Sequence, residues 1–67
     1  MELIINSDKV QVPETVTTVS DLLAHFKLDQ KVVIVELNTT ILEKSNHGET
    51  KLANGDKIEI VHFVGGG

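Results

Sequence analysis

Thr18-Val19-Ser20-Asp21-Leu22-Leu23-Ala24-His25-Phe26 is the clearest helical stretch of this 67-residue sequence, and the fold turns on it. Val19, Leu22, Leu23 and Phe26 fall at i, i+3, i+4 and i+7, which makes one apolar stripe. Thr18 stands where an N-cap is needed, and Asp21 occupies the third helical position, as in a capping box. Leu28-Asp29-Gln30 is expected to close the helix. A single striped helix needs a sheet to cover it, so the expected domain has two layers.

The segments on either side supply that sheet. Upstream, Glu2-Leu3-Ile4-Ile5-Asn6 and Lys9-Val10-Gln11-Val12 read as strands joined by a turn at Asn6-Ser7-Asp8. Pro13 ends this hairpin because it has no N–H for a ladder. Glu14-Thr15-Val16-Thr17 carries the chain away from the sheet. Downstream, the β-branched run Lys31-Val32-Val33-Ile34-Val35-Glu36-Leu37 predicts an interior strand rather than a half-solvated one. Asn38-Thr39-Thr40 turns the chain into the short apolar return Ile41-Leu42. The polar segment Glu43 to Thr50 reads as a surface loop, and Lys51-Leu52 as a very short strand. Asn54-Gly55-Asp56 is a tight-turn signal, and Lys57-Ile58-Glu59-Ile60-Val61-His62-Phe63-Val64 is the final strand. A hairpin, one helix and a last strand returning to the sheet centre describe an α+β domain of the β-grasp, or ubiquitin-like, type. Its mixed sheet has four to five strands; a ferredoxin-like fold would need a second helix. The expected core is Leu22, Leu23, Phe26, Ile34, Ile58 and Ile60.

Composition narrows the function. A chain of this length forms one small domain, burying only about 60% of its surface, with no room for a deep pocket. Hydrophobic residues at 40% and charged residues at 24% are ordinary globular values. A net charge of −4, with two Phe and neither Tyr nor Trp, argues against nucleic acid as a partner. The absence of cysteine excludes disulfides, thiolate metal sites and iron–sulfur clusters. No apolar run approaches a membrane span and no signal pattern opens the chain, so no membrane association and a cytoplasmic location are expected.

The last strand runs directly into Gly65-Gly66-Gly67. Residues 1–64 are therefore expected to form the folded domain and 65–67 a flexible tail. Fully extended, three glycines carry the terminal carboxylate roughly 10 Å beyond the last side chain. Taken alone, such a tail is equally well a frayed end. Along the strand, Ile58 and Ile60 share one face, while Lys57, Glu59, Val61 and Phe63 share the other. Two courses are open near its end. A β-bulge at Val61 would turn Phe63 inward. Without one, Val61 and Phe63 stay exposed beside part of the Val32–Leu37 strand, an apolar patch fit for docking a partner; this second course is the one favoured.

The chain resembles the sulfur carrier proteins of thiamin biosynthesis, within the ubiquitin-like superfamily, over essentially its full length. The resemblance is carried by Thr18-Val19-Ser20-Asp21-Leu22-Leu23, by Val35-Glu36-Leu37-Asn38 with Ile41-Leu42, and by the block from Asn54-Gly55-Asp56 through Val64-Gly65-Gly66-Gly67. It implies that Gly67 is adenylated and then converted to a thiocarboxylate, which donates sulfur for thiazole formation. Gly65 and Gly66 would thread the tail into each partner, with Val64, Phe63 and Val61 also meeting it. The implied partners are an E1-like adenylating enzyme, thiazole synthase and a sulfur donor such as a cysteine desulfurase. This chain would bind no cofactor or metal and be no enzyme; ATP and magnesium would be used by the adenylating partner.

Other chemistry is thin. His25, His47 and His62 are separated by unpatterned intervals and read as surface or boundary residues, not metal ligands. Glu36, Glu43, Glu49 and Glu59 read as solvated faces, with no cleft to make them an acid–base pair. Three alternatives stand beside the resemblance: the small subunit of molybdopterin synthase, a ubiquitin-like protein modifier, and a plain binding module with an inert tail.

Overall fold

The computed structural model describes residues 1–63. Its elements, in chain order, are β1 (Glu2–Ile5), β2 (Asp8–Gln11), α1 (Val19–His25), β3 (Val33–Leu37), β4 (Thr40–Leu42), a 3-10 turn at Lys44–Asn46, and β5 (Lys57–His62). The strands form one sheet in the order β2-β1-β5-β3-β4. The β1–β5 pair is parallel, while β1–β2, β3–β4 and β3–β5 are antiparallel. With α1 packed on one face, this is the expected α+β, ubiquitin-like arrangement.

Both hairpins close through two-residue turns whose residues all have positive φ: Asn6 at 49° and Ser7 at 74°, then Asn38 at 47° and Thr39 at 74°. Such turns match the right-handed twist of the strands they join, and asparagine tolerates the first position. Thr39 is β-branched and uncommon at positive φ. At the Asn54-Gly55 turn only Gly55 has positive φ, at 88°, and the turn leads into β5 from a loop rather than from a paired strand.

The helix begins as its sequence requires. Asp21 N–H donates to Thr18 Oγ1 at 3.1 Å, and Asp21 Oδ2 accepts from Thr18 N–H at 3.1 Å, completing the capping box. Bonds to Asp21 from the Thr17 N–H and hydroxyl, with that of Thr18, hold its carboxyl below the usual value. The end comes earlier than the sequence suggests. Lys27 adopts φ 60°, Lys27 N–H donates to Ala24 C=O at 3.0 Å, and Leu28 N–H donates to Leu23 C=O at 2.7 Å. This is a Schellman stop, with Lys27 where glycine is usual and Leu28 near Leu23.

The core comprises Leu3, Val12, Val16, Val19, Leu22, Leu23, Val35 and Ile58. Two expected members lie elsewhere. Phe26 is 40% exposed because the helix has stopped and Phe26 is its C-cap, laid over the rim of the sheet. Ile34 is 43% exposed because β3, although interior in strand order, is covered by the helix layer on one face alone. Its alternation therefore sends Val33, Val35 and Leu37 inward and Ile34 outward, which corrects the expectation of a strand buried on both faces. Ile60 is half-buried and packs on the edge of the core. The segment expected to leave the sheet contributes Val16, which is buried.

The 43–50 segment is also more than a surface loop. His47 C=O accepts from Ser20 N–H at 3.1 Å and Thr50 C=O accepts from Val19 N–H at 3.0 Å. The segment thus satisfies N–H groups at the start of α1 that have no partner within the helix. His47, expected near the surface, is 6% exposed, with Nε2 lacking any hydrogen-bond partner. Lys51 forms only an isolated bridge with Thr18, not a strand.

Candidate functional site

The site is built on the end of β5. Strand β1 pairs with it only at Ile4↔Lys57 and Ile5↔Ile58, so β5 outruns its parallel neighbour. The asparagine of the first hairpin turn takes over there. Ile60 N–H donates to Asn6 Oδ1 at 2.8 Å, and Asn6 Nδ2 donates to Ile60 C=O at 3.2 Å. One side chain thereby replaces a missing stretch of strand, meeting both backbone groups of Ile60. The asparagine of the second hairpin turn holds the other end. Lys57 N–H donates to Asn38 Oδ1 at 3.0 Å, and Asn38 Nδ2 donates to Asp56 Oδ1 at 3.1 Å. Strand β3 pairs with β5 as far as Val33↔His62, and Phe63 N–H donates to Val32 C=O at 3.1 Å.

The register of β3 against β5 is continuous from Leu37↔Ile58 to Val33↔His62. No bulge interrupts it, so alternation persists and Phe63 remains on the outer side of the sheet. Val61 lies directly opposite Ile34, and one row further on Phe63 stands beside Val32. All four are exposed: 52% for Val61, 43% for Ile34, 54% for Phe63 and 71% for Val32. The apolar patch expected at the base of the tail is present. It occupies the face of the sheet away from α1. One row back from Val61 and Ile34, Glu59 lies opposite Glu36, and Glu36 lies opposite the exposed Ile41.

The inner face ends differently. His62 follows Ile58 and Ile60 and borders a shallow groove with Ile5, Val10, Phe26, Leu28 and Ile60. His25 lies edge-on to Phe26, with ring centroids 4.9 Å apart. The three histidines sit on different elements and share no site. The sequence-predicted residues Val64, Gly65, Gly66 and Gly67 lie outside the described residues. Asn6 and Asn38 were legible only as turn residues; their second task, clamping β5, has no local sequence signal.

A single-helix β-grasp domain whose central strand carries an exposed apolar patch toward a glycine tail is the architecture of ubiquitin-like proteins. A family model described as the ThiS family matches residues 2–67. The sulfur carrier protein ThiS of Bacillus subtilis (strain 168) is 46% identical over 63 residues, which span 94% of this chain and 96% of that protein. The crystal structure of the thiamine biosynthesis protein ThiS from Geobacter metallireducens superposes with a TM-score of 0.83, at 35% identity and with all of both chains covered. A thiazole synthase of Paramagnetospirillum magneticum is 39% identical over 67 residues, spanning all of this chain but only 20% of that protein. The chain belongs to the ThiS family, the sulfur carriers of thiamin biosynthesis.

Proposed function

We propose that this chain carries sulfur as a thiocarboxylate on Gly67, made by a partner that first adenylates it. A carboxylate is ionised at neutral pH and is a poor electrophile, so activation must come first. A carboxylate oxygen of Gly67 attacks the α-phosphorus of ATP and pyrophosphate leaves. A persulfide on the donor then attacks the acyl carbon and AMP leaves with one carboxylate oxygen; a second thiol cleaves the resulting acyl disulfide, ending in a disulfide with the donor and leaving sulfur on Gly67 in place of that oxygen. The resulting thiocarboxylate is the nucleophile delivered to thiazole synthase. ATP, magnesium and the catalytic side chains belong to the E1-like adenylating enzyme; the sulfur donor is a protein such as a cysteine desulfurase. This chain contributes the carrier and the docking surface, and acts in the cytoplasm.

The observation that carries the proposal is the exposed patch of Val61, Phe63, Ile34 and Val32 at the end of β5, immediately before the glycines. It offers each partner a fixed surface from which Gly65, Gly66 and Gly67 can enter a narrow channel, since glycine lacks the Cβ that would meet the channel walls. The thiazole synthase that contains a segment similar to the whole of this chain supports that enzyme as a partner. Joining two modules in one chain raises the effective concentration of each for the other.

Intact-mass measurement after incubation with the adenylating enzyme, ATP and a sulfur donor tests the reading. The expected product gains one sulfur and loses one oxygen. A higher-mass conjugate would indicate a protein modifier, and an unchanged mass a plain binding module. Gly66→Val is expected to abolish adenylation with the thermal midpoint unmoved. Adenylation of Gly66→Val at the wild-type rate would refute the narrow channel.

A further inference from the structure

The last part of β5 is unevenly supported. On one side β3 accompanies it to Val33↔His62 and the bond between Phe63 and Val32. On the other side β1 gives out at Ile5↔Ile58. The N–H and C=O groups of a strand alternate in direction, and those of Ile60 turn toward this second side. Asn6 meets the strand there three times. Its N–H donates to Ile58 C=O at 2.9 Å, its Oδ1 accepts from Ile60 N–H at 2.8 Å, and its Nδ2 donates to Ile60 C=O at 3.2 Å. Among the described residues this is the last hold on that side of β5 before the tail. Val61 and Phe63, the part of the patch borne by β5, lie one and three residues further on. Phe63 is therefore about 10 Å beyond Ile60 at roughly 3.3 Å per strand residue.

We infer that Asn6 is a positioning residue for adenylation: its side chain holds β5 at Ile60, so that the patch and the start of the tail have one direction before the adenylating enzyme binds. This rests on the function proposed above and adds to it a residue outside the patch. Without the clamp, β3 alone would hold the segment from Ile60 to Phe63, and a strand end held on one side opens more readily. A tilt of about 10° at Ile60 would displace Phe63 by roughly 2 Å over that length. The enzyme binds the ordered form, and the apparent affinity falls by the fraction of time that form is lost.

The test is ATP–pyrophosphate exchange catalysed by the adenylating enzyme, with the full chain as the varied substrate. Asn6 also shapes its hairpin turn, at φ 49°, so the substitution must spare the turn. Glycine adopts positive φ freely and has no amide to bond Ile60. Asn6→Gly is expected to raise KM for the carrier roughly fivefold, the equivalent of one net hydrogen bond. The turnover number should change less, because the enzyme's own contacts hold β5 once it is bound. Asn6→Asp retains the acceptor for Ile60 N–H and loses the donor to Ile60 C=O, so its KM should fall between; it carries the test if Asn6→Gly does not fold. Val16→Ala, in the buried core and outside β5, separates positioning from stability: it should lower the thermal midpoint and leave KM at the wild-type value. Amide hydrogen exchange at Ile60 and Phe63 should quicken more in Asn6→Gly than at Leu22, which is bonded within α1. A wild-type KM in Asn6→Gly would overturn the inference, as would an equal rise in Val16→Ala, which would trace the effect to stability. If wild type itself is not adenylated, the proposed function fails and takes this inference with it. Adenylation of wild type with no change in Asn6→Gly removes this inference alone.

Discussion

Changing Phe63 to Ser separates docking from folding more cleanly than any other substitution near the tail. Phe63 is 54% exposed, so a little under half of the side chain is covered. Complete burial of such a side chain is worth about 1.5–3 kcal/mol relative to exposure, so its present coverage contributes about 1 kcal/mol. A domain of this length is stable by roughly 3–10 kcal/mol at ordinary per-residue values, and the variant should remain folded. Binding is a different matter. An aromatic side chain central to an apolar interface typically contributes 2 kcal/mol or more, about thirtyfold in affinity. Urea melts give the first quantity, and titration against the adenylating enzyme and the thiazole synthase gives the second. The expected outcome is a small shift in the urea midpoint and markedly weaker binding to both enzymes. A loss of several kcal/mol in the melt with both affinities unchanged would place Phe63 among the core residues and refute the reasoning.

Two further substitutions probe the body of the domain. Ile58 is fully buried between β1 and β3, and Ile58→Ala should cost about 2–5 kcal/mol in a denaturant melt, whereas the half-exposed Ile34→Ala should cost about 1 kcal/mol or less. Equal costs at the two positions would contradict the one-sided sheet. His47 gives a pH dependence: burial first, and then the charge of Lys44, push its imidazole below the ordinary value of 6.5. Because the folded-state value is the lower one, the neutral ring contributes stability above pH 6.5 that is lost as the pH falls toward that folded-state value. Acidification below pH 6.5 should therefore lower the thermal midpoint of wild type relative to that of His47→Leu, and parallel curves would contradict this.

The parts of the fold that the sequence disclosed are those set by period. The Val19-Leu22-Leu23 stripe, the alternation of β5 and the two asparagine turns all act within a few residues, where local sterics and burial dominate. What stayed hidden depends on distant partners. Nothing near Lys27 announces a left-handed residue, since lysine there replaces the usual glycine, and so Phe26 looked like a core position. The β-branched run from Val32 to Val35 suits a buried strand equally well on one face or two, and only the single helix layer decides that Ile34 is outside. The burial of His47 follows from the 43–50 segment completing the start of α1, a match between residues almost thirty positions apart that composition cannot reveal. For the site, exposure of Val61 and Phe63 was legible from unbroken alternation, while the row of Glu36 and Glu59 needed the register of β3 on β5.

The same register explains why the tail is carried on a firm stem. A strand that outruns its neighbour normally leaves backbone N–H and C=O groups open on that edge, inviting another strand to pair there. At Ile60 the Asn6 side chain occupies both groups, and from the opposite hairpin the Asn38 side chain accepts from Lys57 N–H and donates to the Asp56 carboxylate. Each clamp comes from a turn that needs asparagine for its positive φ, so one residue type shapes the hairpin and fastens the central strand. Beyond Ile60 the backbone of β5 is held by β3 through Val33↔His62 and the Phe63 bond to Val32. The exposed residues Val61, Phe63, Ile34 and Val32 therefore have fixed positions relative to one another, as the proposed docking requires. A docking surface that does not have to be ordered on binding retains more of its contact energy as affinity. On the proposed function, that is the physical reason to set the patch at the end of the central strand, one residue before the glycines.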